Sequence, residues 1–338
     1  MAKIDIFAPQ DTNMVKGLEG QKLYLYGSNS LGKTMQATRL PKPLLLMAES
    51  GGNARNVPKI PIDAWADFTQ VVKQLIGSYD KAKDLYQTII IDTAEMLVSI
   101  VEQEIAKMYG VVDVSMVQEA AKGNPNGYLL SRSMFKNQIN LLTKHGYTVV
   151  FISHESVDDD EKSPTYGKVI PFNSNKEKGS TRFLRDLCDF VIYVKSNGID
   201  AETGDTIYSS AYFRETSNFF ARSRYTRIQP FIKEFTAENL TKAIEDGIAE
   251  TAKDEGMGLV SFKEKNVIGD YTKEDYIQLL QPYVAKLFSL YPDYVAEQIE
   301  SQLGVGKKLT EATDEQVTEL GALYSTFVDF CTQRGINI

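Results

Sequence analysis

Cysteine is nearly missing from this chain of 338 residues, where Cys188 and Cys331 are the only two. They stand far apart with no metal-ligand spacing, which excludes a disulfide framework or a zinc centre and points to a reducing compartment. Long apolar runs are missing too: none approaches membrane-spanning length, and the N-terminus MAKIDIFAPQ lacks the apolar stretch of a signal peptide. A cytoplasmic chain with no membrane partner is expected. Neither an internal repeat nor a low-complexity tract is present.

An excess of positive charge is likewise absent, since the net charge is −8. Its distribution matters more than its sum. From Thr251 onward there are 8 Lys and Arg against 14 Asp and Glu, so −6 sits in the last quarter and only −2 in the first 250 residues. A near-neutral body with local basic stretches can bind phosphates, whereas the acidic C-terminal part suits a protein partner or self-regulation.

What is present is an alternation of apolar strands and amphipathic helices. KLYLY (Lys22 to Tyr26), LLLMA (Leu44 to Ala48), TIIID (Thr88 to Asp92), TVVFIS (Thr148 to Ser153) and DFVIYV (Asp189 to Val194) read as buried strands. Helices are expected after the first strand to about Arg39, from Ala64 to Ile76 with Asp63 as cap, from Ala94 to Tyr109 and from Tyr128 to Lys144. This order builds an α/β fold with a mostly parallel central sheet and ligands at the strand carboxyl ends. Short β segments follow Thr206, then a helix around Ala237 to Thr251. The expected organisation is a core over residues 1–250, a linker over 251–270 and a small helical C-terminal domain over 271–338. Pro282 is expected to kink or break the first of its three helices.

The chemistry centres on Gly27, Ser28, Asn29, Ser30, Leu31, Gly32, Lys33 and Thr34, which match G-x-x-x-x-G-K-[ST] between a strand and a helix. Such a loop turns backbone N–H groups toward phosphates. Lys33 then reaches the β- and γ-phosphates of ATP, and Thr34 offers its hydroxyl to Mg²⁺. Asp92, at the end of a buried strand, fits the acid that holds Mg²⁺ through water. Glu49, Glu95 and Glu155 all follow strand ends, so each is a candidate to position the attacking water. His154 ends its strand at the same edge and is the better γ-phosphate sensor of the two histidines. Arg222, Arg224 and Arg227 form a basic cluster that reads either as a solvated β-edge or as a finger reaching a neighbouring subunit's γ-phosphate.

Taken in order, YGSNSLGKTMQATRLPKPLLLMAESGG, the Trp-bearing AWADF, YQTIIIDTAEML and TVVFISHE resemble the RecA-like ATPases of bacteriophages, the Sak-type AAA-labelled recombination proteins. The resemblance spans roughly Lys22 to Leu240. It implies a RecA-like P-loop core, host-cytoplasmic localisation, action on single-stranded DNA in recombination or replication, and assembly as a ring or filament. It selects Glu49 as the catalytic carboxylate, His154 as sensor, and Arg222 with Arg224 as the finger, although Arg stands where that finger's first Lys is usual. It also implies that the long loop before Asp189 holds DNA. Between Lys162 and Arg185 that loop carries six positive charges against one negative, with Lys162, Lys168, Lys176, Lys178 and Arg182 as candidate DNA contacts and Tyr166 and Phe172 available for stacking. Its start, Asp158 to Glu161, is acidic. A different class stays open: an ATP-switched assembly factor, similar to a helicase loader, that binds protein partners in place of DNA. A small-molecule kinase fits less well, because no acceptor lid or paired-Arg signature is evident.

Overall fold

The computed structural model describes residues 13–49, 56–120, 126–173, 181–204, 207–262, 273–313, 316–334 and 336. Thirteen strands occur among them: β1 (Met14–Val15), β2 (Lys22–Tyr26), β3 (Pro43–Met47), β4 (Lys59–Pro61), β5 (Thr88–Asp92), β6 (Thr148–Ser153), β7 (Glu155–Val157), β8 (Val169–Pro171), β9 (Phe190–Lys195), β10 (Ser210–Tyr212), β11 (Arg222–Ser223), β12 (Phe231–Ile232) and β13 (Leu259–Val260). The α-helices are α1 (Lys33–Ala37), α2 (Trp65–Gly77), α3 (Tyr79–Leu85), α4 (Ala94–Met108), α5 (Val117–Ala120), α6 (Gly127–Lys144), α7 (Phe183–Leu187), α8 (Ala237–Asp254), α9 (Lys273–Leu290), α10 (Pro292–Leu303) and α11 (Val317–Arg334). No helix among the described residues is long and apolar enough to cross a membrane.

Nine strands form the central sheet in the order β12-β10-β9-β2-β6-β5-β3-β4, with β11 also paired to β9. From β4 to β9 every pairing is parallel, and β10 turns antiparallel against β9. The strand interiors Leu23 to Leu25, Ile89 to Ile91 and Val149 to Phe151 are fully buried, as continuous apolar strands covered on both faces must be. Alternation sorts their side chains. Leu23, Leu25, Ile192, Val194 and Phe213 join Leu240, Ile244 and Ile248 of α8 in one core cluster. Toward the other face Tyr26, Tyr193, Tyr212 and Phe231 stand in register across four strands, with successive ring centroids 5.1, 6.4 and 5.6 Å apart.

The chain groups into two compact units. One contains Thr12–Thr69 and Asp84–Lys265; the other contains Gln70–Lys83 and Asn266–Ile338. Part of the segment expected as a linker is therefore ordered structure of the first unit: α8 runs on to Asp254, and Leu259–Val260 pairs in parallel with Met14–Val15. In the second unit Leu280, Leu287, Val295, Ile299, Leu320, Leu323 and Phe327 form a core. Helix α9 continues through Pro282, so of the kink or break expected there the break does not occur. Leu280 and Leu287, buried on either side of that proline, hold the helix across the missing hydrogen bond. The start of α2 also differs: Asp67 accepts from the N–H groups of Asp63 and Ala64, so the capping carboxylate is Asp67.

Candidate active site

The phosphate-binding loop leaves β2 at Tyr26 and enters α1 at Lys33. Gly27 has no room for a side chain, because a Cβ there would lie 2.3 Å from the Val194 carbonyl of β9. Gly32, immediately before α1, has φ +82, a left-handed conformation that favours glycine. Lys33 is buried, and its ammonium donates to the carbonyls of Gly27 (2.7 Å) and Ser28 (2.5 Å). Burial lowers its pKa, while Asp92, Glu155 and Glu95 push it back up.

Parallel pairing brings the ends of β3, β5 and β6 beside the loop, since Met47 is opposite Asp92 and Asp92 is opposite Ile152. Thr34 donates its hydroxyl to Asp92 Oδ2 at 2.8 Å. Burial raises the Asp92 pKa; the Thr34 hydrogen bond opposes this, Glu49 adds to it, and Lys33 opposes it again. A hydroxyl and a carboxylate at this separation, beside a buried lysine, are the oxygen donors a hard divalent cation takes. The residues present thus fit a nucleoside triphosphate and Mg²⁺: Gly27 to Thr34 would hold the phosphates, and Thr34 with Asp92 the metal.

The three candidate carboxylates have different surroundings. Glu49 is exposed, and its Oε2 accepts from the Thr93 hydroxyl at 3.4 Å. Glu95 is buried, and its Oε1 accepts from the His154 backbone N–H (3.2 Å) and pairs with ring Nδ1 (2.7 Å). Glu155 accepts from the Ser28 hydroxyl at 2.5 Å and bonds Tyr193, whose pKa is pushed up to about 12 by burial and by this carboxylate. The Ser28–Glu155 tie escapes sequence reasoning because Ser28 fills an unspecified motif position. Adjacency of β5 and β6 was the signal that could have paired Glu95 with His154.

The structure does not bring the arginines to their own phosphate loop. Strand β11 pairs with Phe190 and Val191 at the start of β9, whereas Gly27 meets Val194 near its end. Each arginine is answered by an aspartate: Arg222 by Asp186 (3.6 Å), Arg224 by Asp189 (3.3 Å), and Arg227 by Asp254 (2.7 Å).

Strands β7 and β8 form an antiparallel hairpin in the expected DNA loop. Lys162 and Arg182 are exposed, as is Tyr166, while Phe172 is half-buried. Lys168 pairs with Glu215 at 3.1 Å, and Arg185 is buried over the Phe220 ring at 5.1 Å. Lys176 and Lys178 lie outside the described residues. Nor is Asp158 a solvated charge. Burial pushes its carboxyl up, but the hydroxyls of Ser163 and Thr165 and the Asp160 N–H outweigh this and hold it below the usual range.

Residues 19–225 match the family model described as AAA domain. Over 341 residues the chain is 36% identical to the SPbeta prophage-derived uncharacterized protein YorG of Bacillus subtilis (strain 168), covering 98% of this chain and 99% of that protein. The matched region begins just before β2 and ends beyond β11, so it takes in the phosphate loop, Asp92 and His154 together. With that loop built on a mostly parallel sheet, the chain belongs to the AAA domain family of P-loop ATPases, with a prophage-derived relative.

Proposed function

We propose that this protein is a Mg²⁺-dependent ATPase stimulated by single-stranded DNA, acting in phage recombination or replication in the manner of the Sak-type proteins. The observation that carries the reading is the Thr34–Asp92 contact beside the buried Lys33 ammonium. In this reading Mg²⁺ supplies charge neutralisation at the phosphates when bound. Lys33 holds positive charge at the phosphate loop, Glu49 orients the attacking water from the sheet edge, and His154 reports the γ-phosphate. Arg222 and Arg224 serve a neighbouring copy in a ring or filament, with their aspartate pairings exchanged on assembly. Lys162, Lys168, Arg182 and, outside the described residues, Lys176 and Lys178 contact the DNA backbone. The host cytoplasm is the site of action.

ATP hydrolysis measured with and without single-stranded DNA tests this. Stimulation is expected, and its loss in Lys33→Ala ties the signal to this site. The assembly-factor reading draws on a separate observation: Lys168 is ion-paired and Arg185 buried, which leaves the 162–185 loop fewer free cations, while Phe288 and Leu290 are exposed on α9 and Val305 in the turn after α10, within the acidic C-terminal part. Hydrolysis indifferent to DNA, with no single-strand binding at low salt in the presence of an ATP analogue, selects that reading.

A further inference from the structure

The Glu95–His154 contact has a geometry that surface charge does not explain. Glu95 lies on the first turn of α4, three residues beyond Asp92, and its side chain is 7% exposed. His154 follows the last residue of β6, and its ring is 39% exposed. One oxygen, Oε1, takes both the backbone N–H and ring Nδ1. A backbone N–H can only donate, so Oε1 accepts there, and an oxygen of the carboxylate form has no hydrogen to give, so the second bond then takes its hydrogen from Nδ1. Glu95 Oε2 is buried without a hydrogen-bond partner, and Nε2 of the ring has none among the described residues. Glu95 lies within electrostatic reach of both Lys33 and Asp92.

We propose that Glu95 is a positioning residue for His154. It fixes the ring through Nδ1 so that Nε2 is the atom presented to the terminal phosphate of bound nucleotide, and it does not itself activate water. The proposal rests on the reading of His154 as the γ-phosphate sensor. A buried carboxylate that sets both tautomer and orientation of an imidazole makes the two residues one functional unit, whose losses do not add.

The chain contains only two histidines, so ¹⁵N-histidine spectra of the full-length protein hold two ring systems, His145 and His154. The nucleotide-free protein is expected to show His154 with hydrogen on Nδ1, and Glu95→Ala to lose that signature. In turnover assays Glu95→Ala and His154→Ala should each lower kcat about tenfold or more with ADP affinity unchanged, and the double variant should be no worse than either single. Glu95→Gln keeps an acceptor oxygen of similar shape and should recover most of the loss and the Nδ1–H signature. Additive losses in the double variant overturn the proposal, as does a Glu95→Gln protein that keeps the tautomer yet is as slow as Glu95→Ala. Wild-type turnover in Glu95→Ala with His154→Ala impaired removes the proposal and leaves the sensor reading standing. Wild-type turnover in His154→Ala removes the sensor reading and the proposal with it.

Discussion

Lys33 and Asp92 carry their charges in a setting that resists both. Burial lowers the pKa of the one and raises that of the other. For Asp92 this has a thermodynamic sign. A carboxyl whose folded pKa is raised binds its proton more readily in the folded chain, so its ionised form costs stability at neutral pH. That cost fades as pH falls through the folded pKa. Asp92→Asn should therefore raise the thermal midpoint of the nucleotide-free protein at neutral pH, by an amount that shrinks toward acidic pH, while abolishing the Mg²⁺ dependence of nucleotide binding. A lower midpoint at neutral pH would contradict the linkage. Glu49 is exposed beside Thr93, so Glu49→Gln should fold and bind ATP normally yet lower kcat by about 100-fold or more, the scale of a lost water-positioning base. If turnover survives in that variant and collapses in Glu155→Gln, the carboxylate tied to Ser28 is the base.

At the scale of elements, β11 and the β7–β8 hairpin set the two open roles. Arg224 meets Asp189 with about half its side chain exposed, and the buried Asp189 carboxylate keeps the Lys22 backbone N–H at 2.8 Å and the Lys22 ammonium at 3.6 Å when the arginine is removed. Arg224→Ala should hence leave the thermal midpoint within a degree or two, and a drop in turnover would then report a role between subunits. Mixing it with Lys33→Ala protein should restore activity at interfaces that combine one intact loop with one intact arginine. No recovery at any ratio counts against the finger. The loop over residues 162–185 makes a separate demand. Each phosphate contact on a single strand contributes a salt slope of about −0.7, so three or four cations imply roughly −2 to −3 in total. Replacing Lys162, Lys176, Lys178 and Arg182 by Ala should flatten that slope equally for all sequences, because backbone contacts carry no base information. A slope unchanged by all four substitutions places the DNA elsewhere.

For the molecule as a whole, the division into two units changes what a truncation means. Residues Gln70–Lys83 group with the C-terminal helices, where burial lowers the Lys73 pKa and the Asp329 carboxylate opposes that shift. Removing residues 270–338 takes away the apolar core of that unit and leaves 70–83 without it. The shortened protein should melt several degrees lower and bind a hydrophobic dye before melting. DNA binding at low temperature should persist, since the deleted part is acidic. An unchanged melting curve would mean that 70–83 owes nothing to the C-terminal helices.

The sequence by itself determined the five buried strands, the phosphate loop and Asp92, because each is a local signal: a continuous apolar run, a spaced glycine–lysine motif, an acid at a strand end. Gly27 belongs here as well, although only the 2.3 Å approach of the Val194 carbonyl gives the reason that no side chain fits. Tertiary structure decided everything that depends on which strands are neighbours. The order β9-β2-β6-β5-β3 sets His154 against Glu95, Ser28 against Glu155 and Thr34 against Asp92. It also sends Arg222 and Arg224 to the start of β9, away from the phosphate loop of their own chain. Sequence spacing carries none of this, since residues 58 or 127 positions apart meet only through the pairing of strands whose order the chain does not follow.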